Sequence, residues 1–162
     1  MDNIQMQGYV PGAIGRITEL HAVYYQRNWH FGLYFEAKVA SELSAFLGRF
    51  EQTRDGFWTM SRDERIEGGI AIDGIEADSK GAHLRWFIVS DNLRSTGVGN
   101  QLMAQAVNFC KDRKFVSVYL WTFEGLHAAR HLYEKFGFVL EQEQIGEQWG
   151  TQVKEQKFVL RF

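Results

Sequence analysis

Apolar residues recur along the chain with two different periods, and the changes of period divide it into expected elements. Spacings of three and four residues predict helices over 17–29, 36–50, 96–111 and 126–136. Short apolar or alternating runs predict strands over 57–60, 66–72, 83–89, 116–121, 137–139 and 152–162. Gly8-Tyr9-Val10 is a further candidate for a short edge strand. The expected order is therefore α, α, β, β, β, α, β, α, β, β.

The middle of the chain predicts a pair of parallel strands. The second half of the run 83–89 is continuously apolar, which is typical of a strand buried on both faces. The longest helical pattern, 96–111, separates it from the strand at 116–121, and such a crossover joins parallel neighbours. We therefore expect an α/β protein.

Composition indicates one folded domain over residues 1–162. The chain has 45% hydrophobic and 23% charged residues, without a repeat or a low-complexity linker. Aromatic residues reach 15%. They predict a dense core or an aromatic-lined pocket, because such rings cover a large area with few rotatable bonds.

Charge and cysteine usage exclude several classes of protein. Eighteen Lys and Arg against twenty Asp and Glu give a net charge of −2, which does not suit a nucleic-acid binder. Cys110 is the single cysteine, so neither an internal disulfide nor a thiolate metal site is expected. No apolar run approaches the ~20 residues that span a bilayer, and the start lacks signal-peptide features. We expect a cytoplasmic protein that binds neither nucleic acid nor membrane.

A glycine-containing segment between the buried strand and the longest helix carries the clearest candidate chemistry. It reads Arg94-Ser95-Thr96-Gly97-Val98-Gly99-Asn100. The first turn of a helix has free N–H groups and a partial positive charge, and the glycines let a phosphate approach them. Arg94 adds a cation that suits phosphate geometry.

Alternatives for this loop remain open from its residues alone. A Walker-type loop requires Gly-Lys-Ser/Thr, whereas Asn100 follows Gly99 here. A dinucleotide loop requires a third small residue where Leu102 stands, although Glu124 lies near the position of a ribose-binding acid. A turn without a ligand is the remaining alternative.

A second motif agrees with the first. The segment Ala129-Arg130-His131-Leu132-Tyr133-Glu134-Lys135-Phe136-Gly137-Phe138 resembles a signature of the GNAT superfamily of N-acetyltransferases, and Arg-x-x-Gly-x-Gly at 94–99 resembles their pyrophosphate loop. Residues 15–21 and 147–150 further resemble the acetyltransferase domain fused behind MarR-type DNA-binding domains. The chain contains no winged-helix segment, so a DNA-binding role does not transfer.

The resemblance implies a fold and an acetyl-CoA site. It implies a mixed central sheet with flanking helices, in which two central parallel strands splay into a V-shaped cleft. Backbone groups of Phe87, Ile88 and Val89 would bind the pantetheine like an added strand. The amides of residues 97–100 and Arg94 would hold the pyrophosphate, and Thr122 and Ala129 would face the cofactor.

The same resemblance makes Tyr133 the general acid. A phenol of pKa ~10 can protonate a departing thiolate of pKa ~8.5 within hydrogen-bond reach. From helical spacing alone, Tyr133 is equally a core residue that packs against Ala129 and Phe136. The chain departs from many relatives at Leu126, where they carry an asparagine.

Neither a general base nor a metal site is evident in the sequence. Glu19, Glu36 and Glu76 are carboxylates that the topology allows as bases, although solvated charges explain them as well. His127 and His131 are spaced i, i+4, but no third ligand is evident, so no metal is expected.

Aromatic residues crowd the junction of the first two predicted helices, from Tyr24 to Phe35. In similar folds this junction is a wall of the acceptor pocket, and Glu36 and Trp149 would complete it. We expect transfer of an acetyl group from acetyl-CoA to a primary amine of a small molecule, with a homodimer left open. The alternative is a non-catalytic acyl-CoA-binding or regulatory module.

Overall fold

In the computed structural model, which describes residues 3–162, helices and strands alternate as an α/β protein. The elements are β1 (Ile4–Gln7), α1 (Ala13–Trp29), α2 (Leu33–Gly48), β2 (Gly56–Arg62), β3 (Arg65–Asp73), β4 (Ala82–Val89), α3 (Val98–Asp112), β5 (Ser117–Phe123), α4 (His127–Lys135), β6 (Val139–Gly146) and β7 (Val153–Arg161).

The strands form one mixed sheet in the order β1-β2-β3-β4-β5-β7-β6. Strands β4 and β5 pair in parallel, as predicted from the crossover through α3, and the other neighbours pair antiparallel. The last strand lies inside the sheet between β5 and β6. Phe158 of β7 is therefore fully buried, at the centre of the packing below α4.

Helices cover both faces of this sheet. On one face α3 packs Leu102, Met103 and Ala106 against the strands, together with residues of α4. On the other face α1 and α2 contribute Ile17 and Leu43, both fully buried. The predicted fold class, a mixed sheet with flanking helices, is confirmed.

The edge strand forms earlier in the chain than Gly8-Tyr9-Val10. Strand β1 ends at Gln7, which pairs with Thr59 of β2. The Thr59 hydroxyl then donates to the carbonyl of Gly8 at 3.0 Å, so a side chain satisfies the group that a longer ladder would have used. Gly8 to Val10 instead lead the chain into α1.

All four helices begin at other residues than the pattern predicts, and glycines account for two of these starts. Helix α1 begins at Ala13 because Gly12, with φ 93°, turns the chain at its start. Helix α3 begins at Val98, since Gly97 with φ 87° precedes it in the left-handed conformation. Thr96, predicted as the start of that helix, lies before this turn.

Candidate active site

Strands β4 and β5 are paired only at their beginnings. Ala82 pairs with Val118 and His83 with Tyr119, and beyond these two residue pairs the strands separate. The V-shaped splay expected from the resemblance is present. The inner edges of both strands thus leave backbone groups without a ladder partner in the other strand, in a cleft that a ligand can enter.

A β-bulge in β4 accompanies this separation. Ala71 of β3 pairs with Arg85 and Gly69 pairs with Ile88, so two β4 residues face one β3 residue between them. Trp86, inside the bulge, has φ 51°, which is unusual for a residue with a bulky side chain. The bulge bends β4 where the strands diverge.

The bulge also changes which face each β4 side chain occupies. Leu84 before it and Phe87 and Val89 after it pack into the core under α3. Trp86 and Ile88 pack into the opposite core, under α1 and α2. Without the extra residue, positions 84, 86 and 88 would share one face, because side chains alternate along a regular strand.

A cavity of about 530 Å³ opens along the separated strand and the start of α3. We refer to it as the cofactor cavity, and to residues 90–100 as the cofactor loop, after the roles proposed for them below. Of the residues predicted to bind the cofactor, the structure brings together Phe87, Ile88, Val89, Arg94, Ser95, Gly97, Gly99, Asn100 and Ala129 around it. The remaining three, Thr96, Val98 and Thr122, do not line this cavity. Val98 is buried at the first position of α3, and the Thr96 hydroxyl donates to the Leu93 carbonyl. Thr122 lines a second cavity instead.

The start of α3 has the features of an anion site. No side chain caps its first turn, so its N–H groups remain available within the described part of the chain. A Cβ placed on Gly99 would lie 3.7 Å from both Phe87 and Leu132, across the cleft. A larger side chain at this position would therefore extend into the space that a ligand needs.

Arg94 lies beside this cavity with its guanidinium half exposed. It forms an ion pair with Asp91 at 3.1 Å and lies 5.0 Å from the centre of the Tyr24 ring. Tyr24 lines the same cavity. Its predicted place in the acceptor pocket is therefore not the one the structure gives, because α1 directs it toward the cofactor loop.

A second cavity, of about 350 Å³, lies between α1, α2, β4 and β5. Its aromatic wall includes Tyr25, Phe35, Trp86 and Trp149, and the Trp149 ring lies 5.6 Å from that of Phe123. We refer to it as the acceptor cavity, after the role proposed for it below. It is the aromatic-lined pocket that the composition and the helix junction predicted.

Glu36 does not reach the acceptor cavity. Phe35 and Val39 form the buried face of α2, so Glu36 lies on the exposed side of that helix. The carboxylate that does line the cavity is Glu42, with Lys38 one turn before it. The acidic residue of α2 that lines this cavity thus lies six residues after the predicted Glu36.

Glu42 is held by two cations. Arg85 of β4 donates to one of its oxygens, and Lys38 lies 3.0 Å from the other. Burial alone would raise the pKa of Glu42, but these hydrogen bonds hold it below its ordinary value. The Arg85 guanidinium also lies 4.2 Å from the centre of the Trp86 ring. Paired charges therefore line this part of the cavity.

Tyr133 lies where the two cavities meet. It lines both, as do Tyr25, Phe87 and Leu126. Its side chain is buried, which raises the pKa of the phenol, so the hydroxyl remains protonated at neutral pH. Tyr133 also packs against Phe158, with ring centres 6.0 Å apart. It is thus a core residue with a protonated hydroxyl, and it lines both cavities.

A match to a protein family agrees with this geometry. The model of the acetyltransferase (GNAT) family matches residues 15–138. The chain belongs to this family. No curated protein sequence matches it.

Solved GNAT structures share the whole fold at low sequence identity. A GNAT acetyltransferase from Staphylococcus aureus Mu50 is 18% identical, with a TM-score of 0.76 over 98% of this chain and 99% of that one. The ribosomal-protein-alanine N-acetyltransferase from Brucella melitensis is 13% identical, with a TM-score of 0.76 over 98% and 99%. The yncA protein of Salmonella typhimurium, solved with acetyl-CoA, is 11% identical, with a TM-score of 0.75 over 98% and 93%.

Metal-ligand clusters and membrane-spanning helices are both absent from the described residues of this GNAT chain. Within residues 3–162, no three His, Cys, Asp or Glu side chains are grouped to hold a metal ion, His127 and His131 included. Over the same residues, no helix is both long and apolar enough to cross a bilayer.

A buried carboxylate fixes the entrance of the cofactor loop. Glu67 of β3 accepts hydrogen bonds from the Ser90 hydroxyl and from Asn92, and Arg16 of α1 lies 2.8 Å from it. Arg16 also donates to the Ile66 carbonyl at 2.8 Å. Burial alone would raise the pKa of Glu67, but Ser90, Arg16 and Asn92 hold it below its ordinary value.

Four residues of this site could not be predicted from the sequence: Lys38, Glu42, Glu67 and Arg85. Lys38 and Glu42 carry a local signal, the i, i+4 spacing of opposite charges on a helix, but nothing local links them to Arg85. Glu67 is a single charge within an apolar strand pattern, which does not indicate its partners. The contacts of Arg85 with Glu42 and of Ser90 with Glu67 join residues that are distant in sequence.

Glu67→Gln is expected to lower the free energy of unfolding by about 1–3 kcal/mol at pH 7, because the part-buried Arg16 loses its buried charged partner and keeps only the exposed Glu19. Urea denaturation measures this. Glu19→Gln is the matched control: Glu19 also pairs with Arg16, at 2.7 Å, but its side chain is 56% exposed. A change within about 0.5 kcal/mol is expected for it.

The effect of Glu67→Gln should depend on pH. Since the folded pKa of Glu67 is lowered, its contribution is complete above the unfolded pKa of ~4.3 and is lost as the pH falls through the folded value. The difference between wild type and variant should therefore shrink below about pH 4.3. A difference that grows on acidification would contradict this account.

Proposed function

We propose that the protein transfers an acetyl group from acetyl-CoA to the primary amine of a small molecule. The observation that carries the proposal is Tyr133, whose buried, protonated hydroxyl lies where a cofactor cavity and an acceptor cavity meet. Family membership supports an acyl-CoA-dependent N-acetyltransferase. We further propose that residues 1–162 form one such domain.

The residues that line the cofactor cavity suit the parts of acetyl-CoA. The Phe87–Val89 backbone would hold the pantetheine at the unpaired edge of β4, as an added strand is held. The amides of residues 97–100 and the Arg94 guanidinium would hold the pyrophosphate at the start of α3. Acetyl-CoA supplies the thioester whose carbonyl carbon the amine attacks.

Tyr133 acts as the general acid in this proposal. When the tetrahedral intermediate collapses, the C–S bond breaks and the thiolate takes the proton from the Tyr133 hydroxyl. Burial raises the phenol pKa and acts in the same direction on the thiolate that forms beside it, so the hydroxyl stays protonated until the thiolate forms and can then transfer its proton.

The size and walls of the acceptor cavity support a small acceptor. Its volume of about 350 Å³ lies at the lower end of the range for small-molecule sites. Trp149 and the rings of α1 and α2 narrow it, whereas a protein lysine would need an open groove. Its lining contains residues of both segments that resemble the MarR-fused domain, His21 from 15–21 and Gln148 and Trp149 from 147–150. We propose that this likeness reflects a shared kind of acceptor pocket.

CoA release over a panel of free amines and lysine peptides tests the acceptor class. Turnover of free amines is expected, and turnover of peptides with none on any free amine would contradict the small-molecule assignment. Leu126 favours the second candidate, a non-catalytic acyl-CoA-binding module, because this apolar residue lines both cavities. Binding of acetyl-CoA without CoA release on the whole panel would support that alternative.

Gly99→Glu is expected to abolish acetyl-CoA binding, because its side chain adds bulk and negative charge between Phe87 and Leu132. Isothermal titration calorimetry measures the loss. Gly48→Glu is the control, since Gly48 has open space around it near the end of α2 and does not line the cofactor cavity. Equal affinity in Gly99→Glu and wild type would exclude this loop as the binding site.

Tyr133→Phe is expected to lower kcat by roughly 10²- to 10⁴-fold, with little change in the Kd for acetyl-CoA, because the ring still packs. Steady-state CoA release and calorimetry give the two values. Tyr119→Phe, which removes a hydroxyl from β5 outside both cavities, should leave kcat within about twofold. An unchanged kcat in Tyr133→Phe would mean that solvent protonates the thiolate.

A further inference from the structure

His21 has a fixed tautomer. It lies on α1, its side chain is buried, and its Nδ1 is 2.8 Å from the Ile17 carbonyl oxygen. Because a carbonyl only accepts, Nδ1 must carry the hydrogen in this bond. The neutral ring then has its lone pair on Nε2.

That lone pair belongs to a ring on the wall of the acceptor cavity. His21 lines the cavity, and Nε2 has no hydrogen-bond partner among residues 3–162. The ring stacks on Tyr25, with centres 6.2 Å apart and planes 13° apart, and Tyr25 lines both cavities. A proton acceptor without a partner therefore lies on the acceptor-cavity wall, stacked on a ring that, like Tyr133, lines both cavities.

The carboxylates are less available for this role than His21. Both oxygens of Glu42, the carboxylate in the cavity lining, already accept from Arg85 and Lys38. Glu19 pairs with Arg16 and Glu76 pairs with Lys80, both outside the cavity. Glu36 is exposed on the far side of α2.

The other imidazole in the cavity is less well placed. His83 lies at the second of the two β4–β5 pairs, where the strands are still joined, and its ring stacks on Tyr119 at 4.5 Å. It is therefore at the closed end of the splay. His21 is instead on the helix that also carries Tyr24 and Tyr25 along the cofactor cavity.

We propose that Nε2 of His21 accepts the proton that the acceptor nitrogen loses when it attacks the thioester. This inference rests on the proposed acetyl transfer. The N–C bond forms and the C–S bond breaks, the nitrogen gives one proton to His21, and Tyr133 gives one to the thiolate. The His21 proton then returns to Tyr133 through solvent, so the products are amide and thiol.

The environment of His21 suits a proton acceptor at neutral pH. Burial lowers its pKa to about 4, against the opposing effect of the Ile17 bond, so the ring is neutral. Such a weak base suffices because the attacking nitrogen becomes far more acidic once it is bonded to the carbonyl carbon. The titratable groups around the cavity are Tyr25 of α1, Lys38 and Glu42 of α2, His83 and Arg85 of β4, and Tyr133 of α4.

His21→Asn distinguishes the role of Nε2 from that of Nδ1. The asparagine amide can keep the donation to the Ile17 carbonyl but has no atom at the position of Nε2. We expect kcat to fall by roughly 10²- to 10⁴-fold, with an unchanged Kd for acetyl-CoA and a melting temperature close to wild type. The control is His30→Asn, which removes an exposed imidazole at the end of α1, where φ of 59° suits asparagine.

Chemical rescue distinguishes catalysis from packing. His21→Ala leaves space for free imidazole, so added imidazole should raise its kcat in a saturable way and leave His30→Asn unaffected. Wild-type kcat in His21→Asn would overturn the proposal. So would a loss of kcat in His83→Asn while His21→Asn remains fully active.

A measurement on the wild-type protein tests the tautomer of His21 even if the variants fail to fold. Nitrogen-15 NMR of the histidine rings should show His21 with hydrogen on Nδ1 and none on Nε2 between about pH 6 and 8. Hydrogen on Nε2 would overturn the proposal. Wild-type protein that releases no CoA with any amine contradicts the proposed function, whereas a fully active His21→Asn contradicts only the role of His21.

Discussion

The early end of the pairing between β4 and β5 is the constraint on which the rest of the site depends. Only Ala82 and His83 are held to β5, and the extra residue around Trp86 bends β4 away from it. The strand stays paired with β3 on its other side before and after the bulge, so the unpaired edge is already formed without a ligand. A preformed edge of this kind binds an extended ligand without the entropic cost of ordering a loop.

Two kinds of polar group line the acceptor cavity: charged side chains that pair with one another, and neutral side chains that are buried. Arg85 and Lys38 neutralise Glu42 within the wall, while Tyr133 and His21 stay neutral because they are buried. Neutral groups of this kind retain a proton or a lone pair in an apolar environment, where an isolated charge would be costly. The aromatic rings of α1 and α2 provide that environment, which explains their concentration in one stretch of sequence.

Sequence reasoning located the parts of the site that depend on local chemistry. The helix start at Gly97 and Gly99 and the buried strand before it could be predicted, since glycine conformation and apolar runs act over a few residues. The bulge could not, because its continuous apolar run, Trp86 to Val89, hides the change of face. The sequence also predicted Glu36 at the pocket, whereas Glu42 lines the cavity, because only the packing of α2 decides which side of the helix meets the cavity.

The contact between Arg16 and Glu67 joins the two halves of the site through one carboxylate. Helix α1 carries His21 and Tyr25 on the acceptor side, and Glu67 also holds Ser90, where the cofactor loop begins. One carboxylate thus fixes the position of α1 relative to the start of this loop. A donor that contacts the loop and an acceptor that contacts α1 would both act on Glu67, and any coupling between them would change the two affinities by the same factor.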